Sequence, residues 1–173
     1  MGMILAPNQS PADRFDHMIQ LYEKDLLRLC YLYLRERSAA EDAVQETFLK
    51  AYRSMDTFRG ESSERTWLVR IALNCCRDMR RSAWHRYIDP RVRPDQLSLS
   101  VAPPSDEHLA LTMAIVKLKP KYMEVVLLYF YEGYSMKDIA AMLDITEAAV
   151  SSRITKAKQK LRTELEGGEG DEK

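Results

Sequence analysis

Apolar residues recur every three or four positions along most of this chain, and almost nowhere do they alternate as in a half-buried strand, so the pattern predicts helices throughout. Asp13 to Leu34 places Phe15, Met18, Ile19, Tyr22, Leu26, Leu29 and Cys30 on one stripe, with Asp13 suited to the first turn. Ser38 is the expected cap of a second helix, Ala39 to Met55. Its buried face is Ala40, Val44, Phe48 and Tyr52, while Asp42, Gln45, Glu46 and Leu49 point elsewhere. Gly60 and two serines mark Asp56 to Ser63 as a connecting loop. A third helix follows from Glu64 to Ser82 with Leu68, Ile71, Ala72, Cys75 and Met79 inward, leaving Trp67, Asn74, Arg77, Asp78 and Arg81 for other work. Trp67 reads as core packing rather than as a ring that stacks on a base, because its neighbour Leu68 is inward.

Periodicity then stops. Prolines 90, 94, 103 and 104 fall among serines and short apolar residues, the composition of a linker. Beyond it, helices are expected from Asp106 to Leu118 and from Pro120, a favoured first helical residue, to Glu132, with Gly133 as the stop. The segment SMKDIAAMLDITEAAVSSRITKAKQKLR, 135–162, reads as a helix-turn-helix. Ser135 and Asp138 have capping-box spacing, Ile139, Ala140 and Leu143 form the apolar face, Asp144 and Ile145 make the turn, and Thr146 caps the next helix. In that helix Val150, Ile154, Ala157 and Leu161 pack inward, which leaves Ser151, Ser152, Thr155, Lys156 and Lys158 outward. Hydroxyls and amines reach base edges in a major groove, and cations displace counterions from phosphates. The fold class expected is therefore all-α: two small helical bundles joined by a flexible linker, the second holding the helix-turn-helix. The boundaries expected are a disordered N-terminus at 1–12, a first domain at 13–86, a linker at 87–105, a second domain at 106–165 and an acidic tail at 166–173.

Composition changes this picture little. The 173 residues carry 26 basic and 26 acidic side chains, but the balance conceals segregation, with Arg65 to Arg93 rich in arginine and Glu164 to Glu172 acidic. No apolar run approaches the roughly 20 residues that a bilayer-spanning helix needs. The N-terminus lacks a signal-peptide pattern, so a soluble cytoplasmic protein is expected. Cys30, Cys75 and Cys76 lack metal spacing and read as buried thiols. His17, His85 and His108 have no carboxylate or cysteine partner at ligand spacing. No acid, base, nucleophile, metal or cofactor site converges anywhere, so neither an enzyme nor a cofactor is expected.

The blocks SAAEDAVQETFLKAY at 38–52, FRGESSERTWL at 58–68, WLVRIALNCCRDMRR at 67–81 and LKPKYMEVVLLYFYEGYSMKDIAAMLDITEAAVSSRITKAKQKLR in the C-terminal half occur in series around a variable linker. In order and spacing they resemble the small, extracytoplasmic-function (ECF) group of bacterial RNA polymerase sigma factors, the sigma-70 family. That resemblance implies a chain that binds core RNA polymerase and directs it to promoters through a -10 and a -35 element. Its first domain corresponds to sigma domain 2 and its second to sigma domain 4.

Carried over by position, the resemblance places Asp42, Gln45, Glu46 and Phe48 on the clamp helices of the polymerase's largest subunit. Phe58, Arg59, Gly60, Glu61 and Ser62 fall in the loop that captures a flipped -10 base, with Asn74, Arg77, Asp78 and Arg81 on the DNA face beside it. Ser151, Ser152, Thr155 and Lys156 occupy -35 reading positions, and Arg153, Lys158 and Lys160 suit phosphates. The chain departs from the family's common pattern here. Ser151 stands where a cation is frequent, Ala148 where glycine is, and Lys156 and Lys158 where arginine is, and lysine cannot make arginine's fork to guanine. The resemblance also implies a face on domain 4 for the polymerase flap, an anti-sigma partner that is often membrane-bound, and a monomer when free. A sigma mimic that titrates an anti-sigma factor, or a regulator that binds DNA alone, are the alternatives to it.

Overall fold

The computed structural model describes residues 10–83 and 106–167, which fall into two compact units divided between Asp89 and Pro90. The described residues are helical with turns between, and the all-α, two-bundle expectation holds. The proposed linker, the first nine residues and the tail beyond 167 lie outside them.

The first unit packs α1 (Pro11–Leu34), α2 (Arg37–Ser54) and α3 (Glu64–Ala83), each of the three against the other two. Two starts differ from the sequence expectation. α1 begins before Asp13, because Ser10 and Asp13 form a reciprocal capping box and Pro11 needs no amide partner in the first turn. Residues 11 and 12 are therefore helical. α2 is capped by Glu36, not Ser38: both carboxylate oxygens take the amides of Ser38 and Ala39, at 2.8 and 2.7 Å. A longer side chain two residues earlier reaches free amide donors of the first turn. The core is Met18, Leu26, Leu29 and Tyr33 of α1, Ala40, Ala43, Val44, Thr47 and Phe48 of α2, and Leu68, Val69, Ala72 and Leu73 of α3. Tyr52, expected inside, is 58% exposed and stands against the edge of Phe15, with ring centroids 5.1 Å apart. Cys30, Cys75 and Cys76 are buried free thiols, as expected.

The second unit contains α4 (Asp106–Lys117), α5 (Pro120–Val126), α6 (Met136–Leu143) and α7 (Glu147–Gly167). α5 continues directly into a π-helical segment, Leu127–Tyr131, in which the Glu132 amide reaches back five residues to the Leu127 carbonyl. Tyr122 to Leu128 is continuously buried and forms the element on which α4, α6 and α7 pack. Gly133 then turns with a φ of +74°, a conformation that favours glycine. Capping of the next two helices follows the sequence. Ser135 Oγ accepts the Asp138 amide at 3.1 Å, and Thr146 Oγ1 accepts that of Ala149 at 3.1 Å. Between them Asp144 takes the left-handed conformation, φ 54°, which tolerates Asp better than most residues.

Candidate nucleic-acid and polymerase interfaces

In the first unit, α2 and α3 each bury one side and present the other. Asp42 and Gln45 are exposed on α2 and Glu46 is half-buried, an acidic and amide-bearing strip. Phe48 is not part of that surface. At 7% exposure it sits in the core, edge-on to Phe15, and Leu49, 51% exposed, is the apolar residue the strip shows instead. Helical periodicity had already put Phe48 inward, and the packing against α1 wins.

The loop before α3 is closed at both ends. At its start the rings of Phe58 and Trp67 stack, with centroids 4.7 Å apart and planes 27° from parallel. Trp67 is thus half-buried against the loop rather than in the helical core. At the loop's end Ser63 caps α3, accepting the Thr66 amide at 3.1 Å, and Glu64 receives both Nε and Nη2 of Arg14 from α1, at 3.1 and 2.6 Å. Between these clasps Gly60 holds a φ of +70°, while Arg59, Gly60 and Glu61 are exposed. Past the loop, α3 exposes Asn74, Asp78 and Arg81, with Arg77 half-buried. Arg77 donates to the Asn74 carbonyl oxygen at 3.3 Å, which leaves the Asn74 amide hydrogens outward as donors.

Sequence reasoning missed the two side chains that tie these faces together. Lys50 Nζ stands 3.8 Å from Glu46 and 3.9 Å from Asp78, bridging the α2 strip to the α3 face. Arg14 braces the loop from a position fifty residues away. The i,i+4 spacing of Glu46 and Lys50 is visible in the sequence, but the reach of Lys50 to Asp78 and of Arg14 to Glu64 follows no periodicity or capping rule. Lys50 and Thr47 also favour the thiolate of Cys75, but burial outweighs both and pushes that thiol above its ordinary value of 9.0.

In the second unit Ser151, Ser152, Thr155 and Lys156 share one exposed face of α7, opposite the buried Val150, Ile154 and Ala157. Thr155 Oγ1 donates to the Ser151 carbonyl at 3.0 Å. The other cations are spread out. Arg153 is half-buried, Lys158 stands 5.5 Å over the ring of Phe130, and Lys160 stands 5.8 Å over that of Tyr122. Lys158 therefore leans away from the hydroxyl face. It reaches the rim of an open groove of about 540 Å³ walled by Leu111, Ile115, Val126, Phe130 and Leu161, where Phe130 is 50% exposed. Among the described residues no cluster of metal-ligating side chains occurs, and no helix is long and apolar enough to cross a membrane.

A capped helix-turn-helix with small hydroxyls and a lysine exposed on its second helix is the class of motif by which many proteins dock in a DNA major groove. The family model for Sigma-70 region 2 matches residues 18–86, and that for Sigma-70 region 4 matches 108–161. The ECF RNA polymerase sigma factor SigW of Bacillus subtilis is 30% identical over 167 residues, 88% of this chain and 89% of SigW. The ECF sigma factor SigM of Mycobacterium tuberculosis is 30% identical over 85% of this chain and 74% of its own length. Among solved structures, CnrH in complex with the cytosolic domain of CnrY has a TM-score of 0.68 and 28% identity, covering 88% of each chain. The sigma factor RpoE of Bartonella quintana, bound to the anti-sigma factor NepR, shares the fold with a TM-score of 0.71 at 23% identity, over 88% of this chain and 97% of RpoE. The chain belongs to the sigma-70 family, in its ECF group.

Proposed function

We propose that this sigma factor binds core RNA polymerase through its first unit and reads a two-part promoter, the -10 element with the first unit and the -35 element with the second. On this reading the functional domains are 13–86 and 106–165. The observation that carries it is the clasped loop: stacked rings at one end and an arginine–carboxylate tie at the other hold a glycine turn beside the Asn74 donors. A flipped base is captured best by a site that does not have to be ordered at the moment of capture. Asp42, Gln45 and Glu46 offer an acidic strip to a basic helical partner, and Phe48 supports that strip from beneath. Ser151, Ser152, Thr155 and Lys156 read the major groove, while Arg153 and Lys160 take phosphates. The groove beside Phe130, away from the hydroxyl face, supports contact with an apolar element of the polymerase flap.

RpoE, which shares this fold, is solved with the anti-sigma factor NepR, and an anti-sigma protein that occludes the polymerase-binding strip is the regulator this reading expects. The chain acts in the cytoplasm, without chemistry of its own. Reconstitution tests the reading: purified protein is added to sigma-free bacterial core polymerase, and transcript 5′ ends are mapped on genomic DNA of the source organism. Discrete start sites that share two upstream motifs are expected. Polymerase binding without start sites would leave a mimic, and tight duplex binding without polymerase would leave a stand-alone regulator. Lys156→Ala should weaken promoter use about tenfold or more, the size of a lost base contact, with core affinity unchanged. Equal loss of both would break the division of labour between the units.

A further inference from the structure

One cation in the first unit stands between two carboxylates that belong to different surfaces. Lys50 lies one turn beyond Glu46 on α2, and its ammonium is 3.8 Å from the Glu46 carboxylate and 3.9 Å from that of Asp78 on α3. Both separations are ion-pair distances longer than a hydrogen bond, so the charge is shared rather than committed. Lysine suits that place, because its ammonium is a compact charge on a flexible stem that can swing between two acids. Each pairing is partly exposed and therefore weak, which makes the balance easy to tip.

The two acids have different needs. Glu46 belongs to the acidic strip proposed for the polymerase, where a basic partner brings a cation of its own. Asp78 lies one turn beyond Asn74 and one before Arg81, in the middle of the face proposed for the -10 strand, and its side chain is 61% exposed. A bare carboxylate there repels phosphates, whereas one with an ammonium against it does not. A cation arriving at Glu46 leaves Lys50 with one acid to serve, and that acid is Asp78.

We infer that Lys50 is a shared counter-ion that carries polymerase docking to the DNA face: docking takes Glu46, Lys50 moves to Asp78, and the neutralised face accepts the -10 strand more readily. The effect is reciprocal, so promoter DNA tightens the hold on polymerase through the same lysine. Lys50 thus acts through Asp78 rather than by touching DNA. The inference rests on the polymerase and -10 readings above, and it can fail while both of them stand.

The test measures the affinity of the full chain for core polymerase with and without saturating promoter DNA whose non-template -10 strand is left unpaired. The ratio of the two affinities is the coupling factor. Lys50→Met keeps the stem and removes the charge; it should lower the factor about two- to fivefold, the range of an exposed ion pair, without weakening polymerase binding in the absence of DNA. Lys50→Arg, which keeps the charge, should keep the factor. In an Asp78→Asn chain there is no carboxylate to neutralise, so adding Lys50→Met should change nothing further. Arg81→Gln is the control for the -10 reading and should lower the factor by itself. An equal loss from Lys50→Met with and without the Asp78 carboxylate would mean that the lysine touches DNA directly. Weaker polymerase binding without DNA, at an unchanged factor, would mean that it is a polymerase contact. A factor that Arg81→Gln lowers and Lys50→Met does not would mean an inert surface pair beside an intact -10 face. Each of these three results overturns the coupling. If Arg81→Gln also leaves the factor unchanged, the -10 reading falls with it, and a native chain that does not bind core polymerase would end the polymerase reading and the coupling together.

Discussion

The two units solve the same problem, holding polar groups in a fixed place, in different ways. In the second, every helix start on the functional side is set within four residues: Ser135 with Asp138, Thr146 with Ala149, and the left-handed Asp144 between them. The hydroxyl-bearing face is one side of a single helix, and its orientation follows once α6 and α7 are capped and packed on the buried α5. In the first, the faces come from two helices and a loop, and what holds them are pairs distant in the chain: Arg14 with Glu64, Lys50 with Asp78, Phe58 with Trp67. Local rules thus build one unit's site, and tertiary contacts build the other's.

That difference governs where damage should appear. The largest effect is expected in the second unit's shared support: Leu127 is fully buried, and Leu127→Ala should cost about 3 kcal/mol. In calorimetry this should lower one of two unfolding transitions, with the first unit's transition unmoved. A joint shift of both would break the comparison. Next in size is Ser135→Ala, which removes the α6 cap and should cost about 1 kcal/mol, again from the second unit alone. It should also reduce -35-dependent promoter affinity more than its stability cost implies, because the cap sets the entry of the motif.

The smallest effect belongs to the first unit, which holds all three cysteines. Because burial raises the Cys75 pKa in the folded state, its contribution to stability is complete below the unfolded thiol's value of 9.0 and is lost as pH rises through the folded value. The first unit's transition should therefore fall at alkaline pH more steeply in the native chain than in Cys75→Ala, while the second unit is indifferent to that substitution. Equal alkaline slopes in the two proteins would remove this distinction between the units.

The same contrast explains how much was legible beforehand. The helices, the helix-turn-helix and its caps follow from spacing within a few residues, and the outward Ser151, Ser152, Thr155 and Lys156 follow from α7's period. Phe48 could be placed inward by period, yet family position alone put it on a binding surface. Glu36 escaped notice as a cap because a glutamate reaching its own helix's second and third amides leaves a weaker signature than serine. Lys50 shows only its i,i+4 spacing from Glu46, and Arg14 shows nothing, since the ties to Asp78 and to Glu64 reach side chains on another helix. Lys158 sat on the outward arc of α7, and only the exposed Phe130 ring drew it aside.

That exposed ring has a backbone origin. In an unbroken α-helix, Phe130 would stand four residues beyond Val126 and seven beyond Met123, on a line that is buried throughout. The π-helical segment at Leu127–Tyr131 puts one surplus residue into the turn, a slip of phase that carries the ring off that line and makes it a wall of the groove. A relative with a one-residue gap at this point would have its helix back in step and its aromatic folded inside. Length in this short stretch, more than the identity of any side chain, would then decide whether a member of the lineage keeps the groove.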